Sequence, residues 1–169
     1  KPTSAGKCLA YAEAYLPYFP CRALVNRRHF ETAWDRARRS GQTHFFCESN
    51  CDGFVAPTES GADVTVLCRS ERIITLSVPH FIAERCSSGD LRDYYRDDFP
   101  YLPGVDATVN CNALDVTISR DGFMMDCAYT AVKRTLAKVL RRQLGRRLER
   151  RPPAELVLAN QYILRQQLR

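Results

Sequence analysis

The longest alternation of apolar and polar positions lies in the stretch DVTVLC at 63–68. Apolar side chains recur there at every second position, which is typical of a half-buried strand. A second run rich in β-branched residues, at 72–78, follows after a few polar residues, so we predict a β-hairpin. Pro79 lacks the backbone N–H that a strand ladder needs, and it should end the second strand. The residues HFIAERC at 80–86 then predict a short helix.

Helical spacing of apolar residues predicts most of the other elements. The segment 21–39 indicates a helix, strongest at 29–38, and further helices are expected at 8–15, 88–98, 124–150 and 154–168. In 124–150, apolar side chains recur at steps of three and four residues: Val132, Leu136, Val139, Leu140, Leu144 and Leu148. A short strand at 43–47 should lead into a cysteine-bearing turn, 55–63 should be a loop, and alternation within 107–118 predicts another strand.

Chain length and composition favour one domain of the α+β class. The chain has 169 residues, of which 45% are hydrophobic and 26% charged, as expected for a globular protein with a real core. We expect a small antiparallel sheet or hairpin with three to four helices, held by disulfides. The predicted organisation is an N-terminal leader and short helix at 1–19, a disulfide-rich core at 20–127 and basic amphipathic helices at 128–169.

The cysteines favour disulfides over a metal site. There are eight, Cys8, Cys21, Cys47, Cys51, Cys68, Cys86, Cys111 and Cys127. No spacing is CxxC and only three histidines are present, so a zinc site built from Cys47, Cys51 and His44 is the weaker alternative. An even number of cysteines indicates disulfides formed in an oxidising compartment, but counting alone leaves their pairing open.

Positive charge is concentrated near the C-terminus. The net charge is +6, and the segment 133–151 holds nine Lys or Arg residues against one acid, whereas 1–132 holds 14 basic and 17 acidic residues. This basic surface includes Arg141, Arg142, Arg146 and Arg147. It is interpreted as a solvated helix face or as a site for a heparan-type sulfated glycan. Nucleic-acid binding is not expected, because aromatic residues are absent from 133–151 and disulfides indicate an extracellular setting.

The sequence gives no indication of catalysis. Glycine-rich phosphate loops, nucleophile elbows and HExxH strings are absent, so we expect a non-enzymatic protein without a cofactor. The acidic residues Asp90, Asp93, Asp97 and Asp98 lack the ligand order of an EF-hand and suit a solvated helix face better than a calcium site. No apolar run is long enough to span a membrane, and KPTSAGK is not a signal peptide, so a secretion signal is expected to have been removed.

Several segments, taken in order, resemble the herpesvirus glycoprotein L family, nearest to its alphaherpesvirus type. They are PC at 20–21, FETAWDRA at 30–37, NCDGF at 50–54, DVTVLCRSERIITLSVPHFIA at 63–83, SGDLRDYY at 88–95, and VNC at 109–111 with a later Cys127. Each string is weak alone, and the shared order over 20–127 carries the resemblance. The basic C-terminal helix lies outside it.

The resemblance implies a secreted envelope subunit that lacks a membrane anchor. Such a subunit forms an obligate heterodimer with glycoprotein H, supports its folding and transport, and regulates fusion by glycoprotein B during virus entry. It would lie on the virion surface and in the host secretory pathway, and reach the membrane only through its partner. By position, the resemblance implies a disulfide between Cys21 and Cys51 (or Cys47) and another between Cys111 and Cys127. For the remainder we predict Cys68 with Cys86 and Cys8 with Cys47.

Large apolar residues in the N-terminal half and the central hairpin are the candidates for partner binding, because such residues dominate interface energies. They are Phe30, Trp34, Phe45, Phe46, Val66, Leu67, Val78 and Phe81. The alternative is that these side chains form the core of this chain. A secreted heparin-binding ligand or adhesion module, acting through 133–151, is the alternative function, and a host receptor is a further possible partner.

Overall fold

The computed structural model describes residues 6–7, 10, 12–13, 16–25, 27–48, 51–59, 62–77, 100, 102–119, 122–124, 126–149, 153–161 and 164–165. Within them lie seven strands and three helices. The strands are β1 (Ala23–Val25), β2 (Arg28–Phe30), β3 (His44–Glu48), β4 (Cys51–Pro57), β5 (Asp63–Cys68), β6 (Glu71–Ser77) and β7 (Val105–Cys111). The helices are α1 (Ala33–Arg39), α2 (Cys127–Leu148) and α3 (Ala154–Ala159).

Five strands form one mixed sheet, and the first two form a separate hairpin. The order in the sheet is β3-β4-β7-β5-β6. All neighbours are antiparallel except β5 and β7, which run parallel. The α+β class and a small antiparallel sheet, formed by β1 and β2, are thus confirmed, and the larger sheet of mixed direction was not expected. After β6 the chain returns to place β7 between β4 and β5, and this long-range pairing leaves no local sequence signal.

The central hairpin is confirmed as β5 and β6. Its turn consists of Arg69 and Ser70, whose φ angles are 54° and 66°. Both residues adopt the left-handed conformation that normally favours glycine or asparagine. Side chains from the end of β7 offset part of that cost: the N–H of Ser70 donates to Asn110 Oδ1 at 2.9 Å and that of Arg69 to Asn112 Oδ1 at 3.2 Å.

The helix predicted across 21–39 is wrong in its first half. Residues 23–25 and 28–30 form an antiparallel hairpin instead, with Ala23 opposite Phe30. The helix begins only after Thr32, whose side chain accepts a hydrogen bond from the Asp35 N–H. The loop predicted at 55–63 is also too long, because β4 continues to Pro57 and pairs there with Val105.

Helix α2 covers one face of the sheet and supplies seven of the twenty buried residues of the main core. Its predicted apolar stripe is confirmed, since Val132, Leu136 and Val139 are fully buried. They pack with sheet residues that include Val66 and Val109. The helix starts at Cys127 rather than at 124, because Asp126 caps it by accepting the Tyr129 N–H at 3.0 Å. Burial of one helical stripe against a sheet face is what defines this layered core.

Some predicted elements lie wholly or partly outside the described residues. These are the helices expected at 80–86 and 88–98 and much of the one at 8–15. The helix expected at 154–168 is described as α3 up to Ala159.

Candidate partner-binding surface

Helix α1 is a short element fixed at its start by a reciprocal cap. Thr32 Oγ1 accepts the Asp35 N–H at 3.2 Å, and Asp35 Oδ2 accepts the Thr32 N–H at 3.1 Å. The hydrogen bond from the Thr32 backbone lowers the pKa of Asp35 below its ordinary value. A capping box satisfies N–H groups that a helix end leaves unpaired. A helix of seven residues can therefore hold the orientation of Trp34.

Trp34 is the centre of an aromatic cluster, which we define as Trp34, Phe45 and Phe54. Its ring stacks on Phe45 at a centroid distance of 6.0 Å and meets the edge of Phe54 at 5.1 Å. Phe45 and Phe54 are direct partners across β3 and β4, with centroids 5.8 Å apart. Such offset and edge-to-face pairs stabilise beyond the area that they bury. The cluster joins α1 to the face of the sheet opposite α2, since Phe54 alternates with Val55, which belongs to the main core.

The segment before β1 is bound to α1 by three hydrogen bonds. The Ala33 N–H of α1 donates to the Pro17 carbonyl at 2.6 Å. Trp34 Nε1 donates to the Tyr18 carbonyl at 3.0 Å, and Arg38 Nη2 donates to the Pro20 carbonyl at 3.0 Å. The indole therefore has a partner for its only polar group while 94% of the residue is buried, at 6% exposure. Phe19 lies between two of these acceptors in the chain, and its N–H donates to the Leu16 carbonyl at 3.0 Å.

Three large apolar residues in these N-terminal elements remain exposed. Leu24 is 63% exposed, Phe19 40% and Phe45 40%. We call Phe19, Leu24 and Phe45 the N-terminal apolar surface. Single exposed apolar residues are common, but aromatic residues beside a rigid, hydrogen-bonded support are the usual composition of a protein-binding surface.

The structure separates the residues predicted for partner binding into different environments. Phe45 is exposed and Phe30 is half-buried, so both are accessible for contact. Trp34 supports Phe45 from within, and Phe46 is 8% exposed in the main core. Val66 and Leu67 have no exposed area, so an effect of either on a partner would act through the sheet. Val78 and Phe81 lie outside the described residues.

Sequence reasoning missed three residues of this region: Phe19, Leu24 and Phe54. Phe54 could have been found, because a tight turn after Glu48 would place it opposite Phe45. Leu24 gave no usable signal, since a strand of three residues is too short to show a period. Phe19 lies between two prolines and belongs to no regular element.

The predicted basic surface is largely engaged within the chain. Glu48 on β3 accepts hydrogen bonds from Lys138 Nζ at 2.7 Å and Arg142 Nη1 at 2.6 Å. These two contacts, with that from Lys138 the larger, lower the pKa of Glu48 below its ordinary value. Arg147 donates to the carbonyls of Pro103 and Gly104 at 2.9 and 3.4 Å. Charge on this face is therefore partly compensated.

Arg146 and Arg141 belong to the same predicted basic surface. Arg146 Nη1 lies 3.4 Å from His44 Nδ1 on the edge strand. Burial, followed by the charges of Arg146 and Arg142, lowers the pKa of His44. Arg141 is half-buried. Arg146 is exposed, and it is the member of the predicted set most available to a sulfate group.

The structure joins none of the six described cysteines in a disulfide. Cys21, Cys47 and Cys127 are exposed, whereas Cys51, Cys68 and Cys111 are buried. Cys8 and Cys86, and with them two of the four predicted pairings, lie outside the described residues. The disulfide map thus stays a prediction. In the described part of the chain, no group of three or more His, Cys, Asp or Glu side chains is arranged to hold a metal ion.

Together these features define a small α+β chain whose mixed sheet carries a helix-covered core on one face and an aromatic cluster on the other. No protein-family model matches the chain, and neither the curated proteins nor the solved structures contain a match. Among the described helices, none combines the length and the apolar character needed to cross a bilayer.

Proposed function

We propose that this chain is a non-enzymatic envelope subunit of the glycoprotein L type, which forms a heterodimer with glycoprotein H. Through that partner it regulates membrane fusion driven by glycoprotein B during virus entry. The ordered sequence resemblance over 20–127 is the basis of this assignment. In this proposal the chain lies on the virion surface and in the host secretory pathway, held at the membrane by its partner.

The N-terminal apolar surface is the observation that supports a binding role. Phe45 exposes apolar area beside the stacked ring of Trp34, and Leu24 exposes apolar area on β1. A preorganised surface loses little conformational freedom when it binds, so its apolar area converts efficiently into affinity. In this proposal the surface forms the centre of the contact with glycoprotein H.

Co-expression with a glycoprotein H ectodomain tests the proposal. We expect the two chains to be secreted together and to co-purify, and we expect Leu24→Asp and Phe45→Asp to reduce recovery of the complex by about tenfold or more, since a charge buried at an interface costs more than about 1.4 kcal/mol. Ile118→Asp is the matched control, because Ile118 is fully exposed elsewhere in the chain, at 106%.

Two results would contradict the proposal. If the chain is secreted as a folded monomer and never co-purifies with glycoprotein H, the heterodimer is wrong. If it co-purifies but all three variants do so equally well, the heterodimer stands and the proposed surface is wrong. Circular dichroism of each variant establishes that the fold is retained.

A sulfated-glycan-binding module is the second candidate function. It is favoured by α2, which carries seven Lys or Arg residues and no acidic residue between Cys127 and Leu148. Because Glu48 and two backbone carbonyls already engage three of these cations, this function is ranked second.

A further inference from the structure

Cys51 and Cys111 face each other at one end of the pairing between β4 and β7. Cys51 is the first residue of β4, Cys111 is the last residue of β7, and the two are direct partners in this antiparallel pair. Both are buried, with exposures of 2% and 1%, and both belong to the main core beneath α2. Their side chains therefore leave the same face of the sheet.

This register satisfies the geometry that a disulfide needs. Directly opposed residues of an antiparallel pair have Cα atoms about 4.5 to 5.5 Å apart, depending on whether the pair is hydrogen-bonded. A disulfide accepts Cα distances of about 4.4 to 6.8 Å. Closure of the bond therefore requires side-chain rotation and no change of strand register.

We infer that Cys51 and Cys111 form a cross-strand disulfide that links β4 to β7. The step is an exchange with a disulfide of the oxidising compartment, such as glutathione disulfide or a protein disulfide. Two thiols lose two protons and two electrons to form one S–S bond, and the disulfide partner is reduced to two thiols. This pairing replaces the partners that the family resemblance implies for these two cysteines, and it does not depend on the proposed function.

The surroundings of the pair determine when the bond can form. Burial, and then hydrogen bonding and charge interaction with the Cys111 thiol, raise the pKa of Cys51. Exchange requires a thiolate that is accessible, so a folded, reduced pair beneath α2 reacts slowly. The bond must therefore form during folding, before the helix covers the strands. Once formed, it is protected from reductants by the same burial.

Cys68 is the competing partner. It follows Leu67, which lies opposite Asn110 in the parallel pair of β5 and β7, so Cys68 is close to Cys111. Its Sγ donates instead to the Leu114 carbonyl at 3.5 Å. The pairing of β5 with β7 ends at Leu67, so Cys68 is not a direct strand partner of Cys111. These observations favour Cys51, and the experiment must distinguish the two thiols.

Peptide mapping of the secreted, unreduced chain decides between the pairings. Free thiols are alkylated in denaturant, and the chain is then cut with trypsin and a glutamate-specific protease. The sequence allows all eight cysteines to be separated, into fragments 8–13, 14–22, 40–48, 49–59, 60–69, 86–92, 97–120 and 121–133. We expect 49–59, which holds Cys51, to be linked to 97–120, which holds Cys111.

The inference is overturned if either fragment carries the alkylating group quantitatively. It is also overturned if 49–59 is linked to 14–22, or if 97–120 is linked to 60–69 or 121–133. Each of these linked fragments identifies a different partner. None depends on glycoprotein H, so failure here is distinct from failure of the proposed function.

Serine variants give a second measurement. Cys51→Ser, Cys111→Ser and the double variant should each lower Tm by about 10 °C relative to the oxidised chain, because each removes the same crosslink around a loop of roughly 60 residues. Cys47→Ser removes an exposed cysteine outside this bond, so its effect on Tm should add to that of Cys51→Ser, whereas the effect of Cys111→Ser should not. A double variant with twice the loss of either single variant would contradict a shared bond.

Discussion

Glu48 shows how a single residue connects elements that are far apart in sequence. Its carboxylate accepts hydrogen bonds from Lys138 and Arg142, which follow it by 90 and 94 residues, far beyond the spacings that pattern analysis uses. The side chain is 19% exposed, and its cationic partners are about half exposed. The three residues join the edge strand β3 to α2. Sequence alone placed both cations on a basic surface and gave Glu48 no role.

Glu48→Gln should lower the free energy of unfolding by about 1 kcal/mol at pH 7, because it removes two charge-assisted contacts that solvent partly screens. The folded-state pKa of Glu48 is lowered from the ordinary value of 4.5. The contribution is therefore present in full above about pH 4.5 and is lost as the pH falls through the lower folded-state value. Urea unfolding at pH 7 and near pH 3 measures it.

Glu59→Gln is the control for that experiment, because it makes the same change at an exposed residue outside the described strands. It should leave the urea midpoint unchanged at both pH values. If Glu48→Gln lowers the free energy of unfolding as much near pH 3 as at pH 7, the ion pairs are not the source of the loss.

At the scale of elements, the sequence predicted those parts of the fold that have a long local period. The strands β5 and β6 and the stripe of α2 follow from alternation and from three- and four-residue steps. The strands β1 and β2 were missed because apolar residues in so short a segment fit both the helical period and the strand period. The pairing of Ala23 with Phe30 makes the segment a hairpin. The parallel pairing of β5 with β7 depends on a connection of 36 residues, 69–104, which includes β6 and which no local pattern reports.

Gly53 and Gly145 should respond in opposite directions to alanine. A Cβ at Gly53 would overlap the Thr108 carbonyl oxygen and approach Phe46 Cζ to 2.8 Å, so Gly53→Ala should destabilise the protein by about 3 kcal/mol. Gly145 lies within α2 with open space around it, so Gly145→Ala should stabilise by about 1 kcal/mol. Thermal unfolding of both variants measures the contrast. A small loss at Gly53 would mean that β4 and β7 are not in this close register.

For the whole molecule, the sheet separates two apolar regions of unequal size. Helix α2 covers the larger region, and the aromatic cluster with α1 forms the smaller one on the other face. The sequence indicated which residues are large and apolar, but not on which face each lies. Phe45 and Phe46 are neighbours in sequence, yet one is exposed beside Trp34 and the other is buried under α2. That is why the candidate surface could be predicted only in part.

Positive charge is distributed unevenly over the whole molecule. The net charge of +6 should produce retention on heparin, and the face of α2 should dominate it, because long-range attraction is strongest where cations cluster. Glu48→Gln and Glu59→Gln raise the net charge equally, but only the first releases Lys138 and Arg142 from a carboxylate. We expect Glu48→Gln to elute later than Glu59→Gln in a salt gradient. The salt concentration at elution should rise by tens of mM, roughly as expected for one or two added ionic contacts. Equal elution of the two variants would show that net charge alone governs retention, and would remove the support for a glycan-binding function of α2.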